Sequence, residues 1–123
     1  MIKLNKIIFI LFILIIFTSL ISYEKMENKS KYKGEKIIFY NFNTGWCHYS
    51  KILQPEWKRL EKYYKNHKKI KIVDIKCEKK RNKDICNKFK VKKYPTLIKV
   101  KGGKIIHYNG ERKLNKFINF IEN

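Results

Sequence analysis

The chain begins with a dense apolar segment and continues as a mainly polar body with shorter apolar runs. The segment covers residues 7–21, has no polar face, and follows Lys3 and Lys6. All-round hydrophobicity is unlike a surface helix of a globular domain and is typical of a targeting or membrane segment. The segment is long for the core of a signal peptide and short for the ~20 residues that span a bilayer. We therefore expect residues 1–22 to be a signal peptide or a membrane anchor, and the sequence leaves both open.

The body shows alternating strand and helix patterns after a polar, aperiodic stretch at 23–36, which predicts a linker. Short runs rich in β-forming residues predict strands at 37–42, 70–75, 96–101 and 104–108. Apolar residues at helical spacing predict helices at 47–64, 84–89 and 114–121. Pro55 lies inside the first helix and predicts a kink, and Gly102-Gly103 predicts a hairpin turn between the last two strands.

The predicted element order, βαβαββα, defines the expected fold class. Parallel strands joined by helices, followed by a hairpin and a closing helix, form an α/β domain with a central mixed sheet flanked by helices. We expect this domain to occupy residues 37–123, preceded by the N-terminal hydrophobic helix.

Charge is the most unusual feature of the composition. The formal net charge is +20, of which Lys3 and Lys6 contribute two units, so the rest of the chain carries +18. The lysines are scattered over every segment and form no compact patch with arginine and aromatic residues, so nucleic acid is not the expected partner. A solvated lysine-rich surface is the favoured interpretation, and attraction to an anionic polymer stays open as an alternative.

The sequence holds three cysteines: Cys47, Cys77 and Cys86. None has the paired spacing of a zinc site, so we expect no metal, and no motif indicates a cofactor. Cys47 follows a predicted strand and a glycine break, and it opens a helix, where free backbone N–H groups and the helix dipole stabilise a thiolate. Such thiols have pKa values of about 3.5–7.5. Cys47 is therefore the candidate nucleophile, with an inert buried cysteine as the alternative.

Several motifs share a resemblance to one family. Residues 46–51 (WCHYSK) stand where W-C-x-x-C-K is typical, residues 91–97 (VKKYPTL) resemble V-x-G-Y-P-T-L, and residues 108–112 (YNGER) resemble Y-x-G-x-R. Residues 37–121 therefore resemble the thioredoxin superfamily, and within it single domains of protein disulfide isomerases. The resemblance implies a thioredoxin-like fold and a catalytic Cys47, with Pro95 in a cis peptide bond against that cysteine.

The resemblance also implies roles for the neighbours of Cys47. Trp46, His48, Tyr49 and Tyr94 would contact a client polypeptide, and Tyr94 with Pro95 would position it. Disulfide-isomerase domains often carry a structural disulfide at places similar to Cys77 and Cys86, which would imply an oxidising compartment. The alternative, in which one of these two cysteines resolves an adduct on Cys47, requires an approach that this fold does not provide.

Three positions depart from the family pattern. Ser50 replaces the second cysteine of the motif, so release of a client bound to Cys47 would need an outside thiol such as glutathione. Asn41 replaces a buried Asp or Glu, and an amide cannot accept a proton. Lys93 replaces a glycine, and the sequence gives no account of it.

These observations predict a single-cysteine protein that exchanges thiols and disulfides with client proteins. We expect it to be membrane-anchored or secreted, with its domain in an oxidising compartment. A non-enzymatic, membrane-anchored module that binds client peptides is the main alternative. A monothiol-glutaredoxin-like role with an iron–sulfur cluster is less favoured, because His48 and Tyr49 depart from the C-G-F-S motif of those proteins.

Overall fold

The computed structural model describes residues 2–32 and 34–123, with side chains for residues 3–23 and 34–123. It divides into two compact units, the first ending at Glu35 and the second beginning at Lys36.

The first unit is formed by helix α1, Ile2–Tyr32. Its section Lys3–Tyr23 is long and apolar enough to cross a membrane, and its side chains are exposed. A signal sequence and a membrane span both meet these criteria. The predicted linker is helical as far as Tyr32, because helix growth is cooperative and the lysines, glutamates and methionine of this stretch are good helix formers.

The second unit is built on a four-stranded sheet with the order β2-β1-β3-β4. The strands are β1 Ile37–Asn43, β2 Ile70–Lys76, β3 Thr96–Lys101 and β4 Lys104–Tyr108. The helices are α2 His48–Tyr63, α3 Lys83–Lys88 and α4 Leu114–Glu122, with a 3₁₀ turn at Lys80–Asn82. β1 pairs with β2 in parallel and with β3 antiparallel, and β3 and β4 form the antiparallel hairpin. This arrangement confirms the predicted α/β fold with a mixed sheet.

Alternating side chains of β1 supply both faces of the sheet. Phe39 faces α2 and α4, where its ring centroid lies 5.3 Å from that of Trp57 and 5.9 Å from that of Phe117. Phe42 faces the opposite side and packs with the buried Cys77, Cys86 and Ile98. Because β1 is central in the sheet and buried on both faces, its carboxyl end gives a fixed support to the loop that comes next.

Glu56 links helix α2 to the start of helix α4. Its Oε2 accepts a hydrogen bond from the backbone N–H of Leu114 at 2.8 Å, and its Oε1 accepts one from Arg59 at 2.9 Å. The Leu114 N–H and then Arg59 hold the pKa of Glu56 below its ordinary value. This contact fixes the end of the loop that contains Arg112.

Candidate active site

Cys47 lies at the N-cap of α2, immediately after the turn that leaves β1. Its backbone is extended (φ −74°, ψ 125°), and its carbonyl accepts the first hydrogen bond of the helix from Lys51 at 3.1 Å. The preceding turn is held by Gly45, whose N–H donates to Oε1 of Glu78 at 2.8 Å. The strand, the glycine break and the helix thus place a half-exposed sulfur at the positive end of a 16-residue helix.

The groups around the sulfur favour its thiolate form. The backbone N–H of Ser50 lowers the pKa of Cys47 most, and partial burial opposes it. The Ser50 hydroxyl, the Tyr49 N–H and the positive charge of Arg112 lower the pKa of Cys47 further. The Ser50 and Tyr49 N–H groups belong to the first turn of α2 and have no partner within the helix, so the site stabilises negative charge on the sulfur.

A second loop meets Cys47 from far along the chain. The Tyr94–Pro95 peptide bond is cis and Pro95 is buried. The carbonyl oxygen of Tyr94 accepts a hydrogen bond from Sγ of Cys47 at 3.5 Å, and the Tyr94 ring lies edge-on to Trp46 with centroids 6.0 Å apart. The structure therefore brings together the two motifs that the sequence separates by 47 positions.

The rim of the site is aromatic and open to solvent. Trp46 is 69% exposed and Tyr49 is 63% exposed. His48 is also exposed and lies edge-on to the Tyr49 ring, with centroids 5.7 Å apart. Large aromatic side chains exposed to solvent beside a free thiol are suited to contact with another molecule.

Ser50 occupies the position of the second motif cysteine and points inward. It is 1% exposed, and its Oγ has no hydrogen-bond partner of normal geometry within the described residues. Its hydroxyl proton is therefore free to turn toward the Cys47 sulfur, in agreement with its effect on that pKa.

A polar network that the sequence analysis missed lies under the same helix. The amide nitrogens of Asn41 and Asn43 donate to Oδ1 of Asp74 at 2.9 and 2.7 Å. Nζ of Lys76 lies 3.5 Å from the other carboxylate oxygen and also donates to Oδ1 of Asn43. After burial, the charge of Asp74 is the main cause that raises the pKa of Glu61 on α2. The sequence signal for this network was Asp74, a single carboxylate within a run of β-forming residues.

The other two cysteines lie away from the Cys47 sulfur. Cys77 and Cys86 form a disulfide with an S–S distance of 2.06 Å and a Cα–Cα distance of 6.0 Å, and both are buried among the side chains that pack around Phe42. All three cysteines of the sequence lie within the described residues, and of these Cys47 is free. Within the described parts of the chain, no three His, Cys, Asp or Glu side chains are arranged to hold a metal ion.

Comparison with known proteins agrees with this geometry. The thioredoxin family profile matches residues 20–123. The chain belongs to the thioredoxin family. Its thioredoxin domain is 33% identical over 92 residues to protein disulfide-isomerase 1 of Dictyostelium discoideum, covering 73% of this chain and 25% of that protein. It is 36% identical over 91 residues to the protein disulfide-isomerase of Oryctolagus cuniculus, covering 72% of this chain and 17% of that protein.

A solved structure of human ERp44 in its zinc-bound form has the same fold as this thioredoxin domain. The TM-score is 0.60 at 22% identity, over 72% of this chain and 26% of that chain. The two protein disulfide-isomerases are longer proteins, and this chain spans 25% and 17% of their lengths. The comparisons establish a thioredoxin domain that is similar in sequence to domains of protein disulfide-isomerases.

Within this thioredoxin domain, the departures noted in the sequence have distinct surroundings. Ser50 is buried beside the Cys47 sulfur, and Asn41 is buried against Asp74. Lys93 is exposed on the loop that leads to Tyr94 and Pro95.

Proposed function

We propose that this thioredoxin domain carries out thiol–disulfide exchange through the single cysteine Cys47. The observation that carries the proposal is a half-exposed sulfur at the N-terminus of α2 with a lowered pKa, beside a buried serine in the second motif position. The Cys47 thiolate attacks a client disulfide, forming one S–S bond to the client while the client's own S–S bond breaks. The departing client sulfur leaves as a thiolate and takes a proton from solvent, so no net oxidation occurs.

Ser50 determines the fate of the adduct that this first exchange forms. A serine hydroxyl is not a nucleophile toward a disulfide, so the domain has no internal group to expel the client. The mixed disulfide persists until the client's own freed thiol attacks it, which rearranges the client's disulfides, or until an outside thiol such as glutathione does so. Client capture and isomerisation are thus two outcomes of one adduct.

The loop of Tyr94 and Pro95 and the aromatic rim are proposed to hold the client during exchange. The Tyr94 backbone lies directly against the sulfur, so an extended client segment attached there lies within reach of backbone pairing with it. Trp46 and Tyr49 supply exposed aromatic area beside that segment.

The proposed location is an oxidising compartment, reached through the N-terminal segment as an anchor or a cleaved signal. Two observations support this placement. Lys3–Tyr23 fits a targeting or membrane segment, and Cys77 and Cys86 are joined as a disulfide, which reducing compartments disfavour.

The aromatic rim also favours a second candidate function, a non-enzymatic module that binds client peptides without a covalent step. One experiment separates the two. The full chain in neutral detergent is mixed with a disulfide-bonded peptide, and intact masses are measured for wild type and Cys47→Ser. The exchange function predicts a dithiothreitol-sensitive adduct in wild type and none in Cys47→Ser. Equal noncovalent binding of the peptide by both proteins, without the mass of a covalent adduct, would instead support the binding module.

A further inference from the structure

A basic groove of about 460 Å³ lies beside the active site, between the loop that precedes β3 and the loop that comes after β4. We define it by its four formally charged lining residues, which are Lys90, Lys92, Lys93 and Arg112. Its apolar and hydroxyl-bearing lining includes Pro95, Thr96 and Leu97.

The groove has an excess of positive charge that the fold leaves unneutralised. No carboxylate is among its lining residues. Within the described residues, none of its four cations forms an ion pair. The neighbouring Glu111 has Lys113 as its partner at 4.0 Å, and Lys76 on β2 lies 3.5 Å from Asp74. Like charges confined to one groove repel each other, so binding an anion there relieves the repulsion.

The groove is linked to the Cys47 sulfur by two of its lining residues. Pro95 lines it and directly follows Tyr94, whose carbonyl oxygen lies 3.5 Å from Sγ of Cys47. Arg112 is shared, because its charge also lowers the pKa of Cys47. An extended polypeptide advances about 3.3 Å per residue. Client residues within a few positions of a cysteine bound to Cys47 would therefore come within reach of the groove.

We propose that the basic groove binds an acidic segment of the client next to its reacting cysteine. This inference rests on the proposed exchange function and specifies the class of client. It also gives Lys93 a role, since a lysine at this position adds a cation where the family pattern has glycine. A polypeptide is favoured over a nucleic acid because the groove lies beside the Cys47 thiol, and a nucleic acid offers that thiol no disulfide.

The test uses three peptides of equal length with one cysteine carried as a mixed disulfide with thionitrobenzoate. The cysteine is flanked by Glu, Gln or Lys on both sides. Attack by Cys47 forms the Cys47–peptide disulfide and releases coloured thionitrobenzoate, which gives the rate. The full chain in neutral detergent is compared with Lys92→Gln/Lys93→Gln. The matched control is Lys65→Gln/Lys68→Gln, which removes two exposed lysines just beyond the C-terminal end of α2. The helix is about 24 Å long, and Cys47 is at its other end.

At low salt, wild type should react about three- to tenfold faster with the Glu peptide than with the Gln peptide, and more slowly with the Lys peptide. Lys92→Gln/Lys93→Gln should bring the ratio of the Glu-peptide rate to the Gln-peptide rate close to the ratio measured when free cysteine attacks the same peptides. Lys92→Arg/Lys93→Arg and the control variant should keep the wild-type ratio. Added salt should reduce the ratio.

The proposal is overturned if the groove variant keeps the wild-type ratio, or if the control variant lowers it equally, since either result would mean diffuse attraction to the whole charged domain. It is also overturned if an oligonucleotide binds the groove with higher affinity than a Glu peptide whose cysteine is replaced by serine. Failure of wild type to react even with the Gln peptide would instead contradict the exchange function itself.

Discussion

The side-chain amide of Asn41 donates a hydrogen bond to the Asp74 carboxylate at 2.9 Å, across the paired strands β1 and β2. The other amide atom, Oδ1 of Asn41, is buried and has no hydrogen-bond partner within the described residues. Because an amide does not take up a proton, Asn41 is no proton acceptor. The nearest carboxylate is that of Asp74 on the neighbouring strand. An added aspartate at position 41 would face Asp74 directly, so a useful acid at 41 requires a neutral residue at 74.

This relationship predicts how dithiol activity can be restored. Ser50→Cys alone should give some reduction of insulin disulfides with dithiothreitol limiting, because the helix position of the new thiol is that of a second motif cysteine. Adding Asn41→Asp together with Asp74→Asn should raise that rate about tenfold or more, because the exchanged pair keeps its net charge and supplies a proton acceptor.

Asn41→Asp alone is the control, and it should lower the free energy of unfolding by about 3 kcal/mol or more, because it buries a second carboxylate against Asp74. Equal insulin reduction by wild type and by the triple variant would show that Ser50 and Asn41 do not limit activity.

The ionisation of Cys47 gives a prediction for pH dependence. Below its pKa the sulfur is a protonated, unreactive thiol, and above it a thiolate, so a lowered pKa moves the rise in reactivity to lower pH. The rate of iodoacetamide labelling of the full chain should therefore have its midpoint clearly below the value of about 8.5 for free cysteine. Ser50→Ala should move the midpoint upward, because it removes the hydroxyl but keeps the backbone N–H. A wild-type midpoint at or above that of free cysteine would mean an inert sulfur.

The Cys77–Cys86 disulfide is predicted to act in stability and not in exchange. The bond joins residues nine positions apart, and closing a loop of this size stabilises a fold by about 2–3 kcal/mol. Cys77→Ser/Cys86→Ser should lower the free energy of unfolding in urea by about that amount. The same variant should form Cys47 adducts with unchanged lifetime, and a longer lifetime would assign one of these cysteines to adduct resolution.

The N-terminal segment predicts that the domain is on the far side of a membrane from the cytosol. In sealed vesicles prepared from cells that express the full chain, added protease should leave residues 36–123 intact, and detergent should make them sensitive. Digestion without detergent would place the domain on the cytosolic side and contradict the proposed oxidising compartment.

The sequence predicted the fold because it depends largely on local signals, and it placed Cys47 at the start of a helix, where the structure also has it. The apolar runs of β1 and β3, the glycine turn and the α2 pattern each specify an element, and family motifs link Cys47 to Pro95. The Asn41–Asp74 contact could not be predicted in the same way, since it depends on the register between β1 and β2. The basic groove likewise forms only when the loops of Lys93 and Arg112 meet. Lysines are scattered over every segment of the sequence, so no local pattern distinguishes the groove lysines from the others.

The lifetime of the Cys47 mixed disulfide tests the central claim most directly. The full chain is joined through Cys47 to a peptide with one cysteine, unbound peptide is removed, and the intact mass is monitored without and with glutathione. The account predicts that the wild-type adduct persists alone and is released by glutathione, while the Ser50→Cys adduct decays by itself as an internal disulfide forms. Spontaneous release from wild type as fast as from Ser50→Cys would contradict a single-cysteine mechanism.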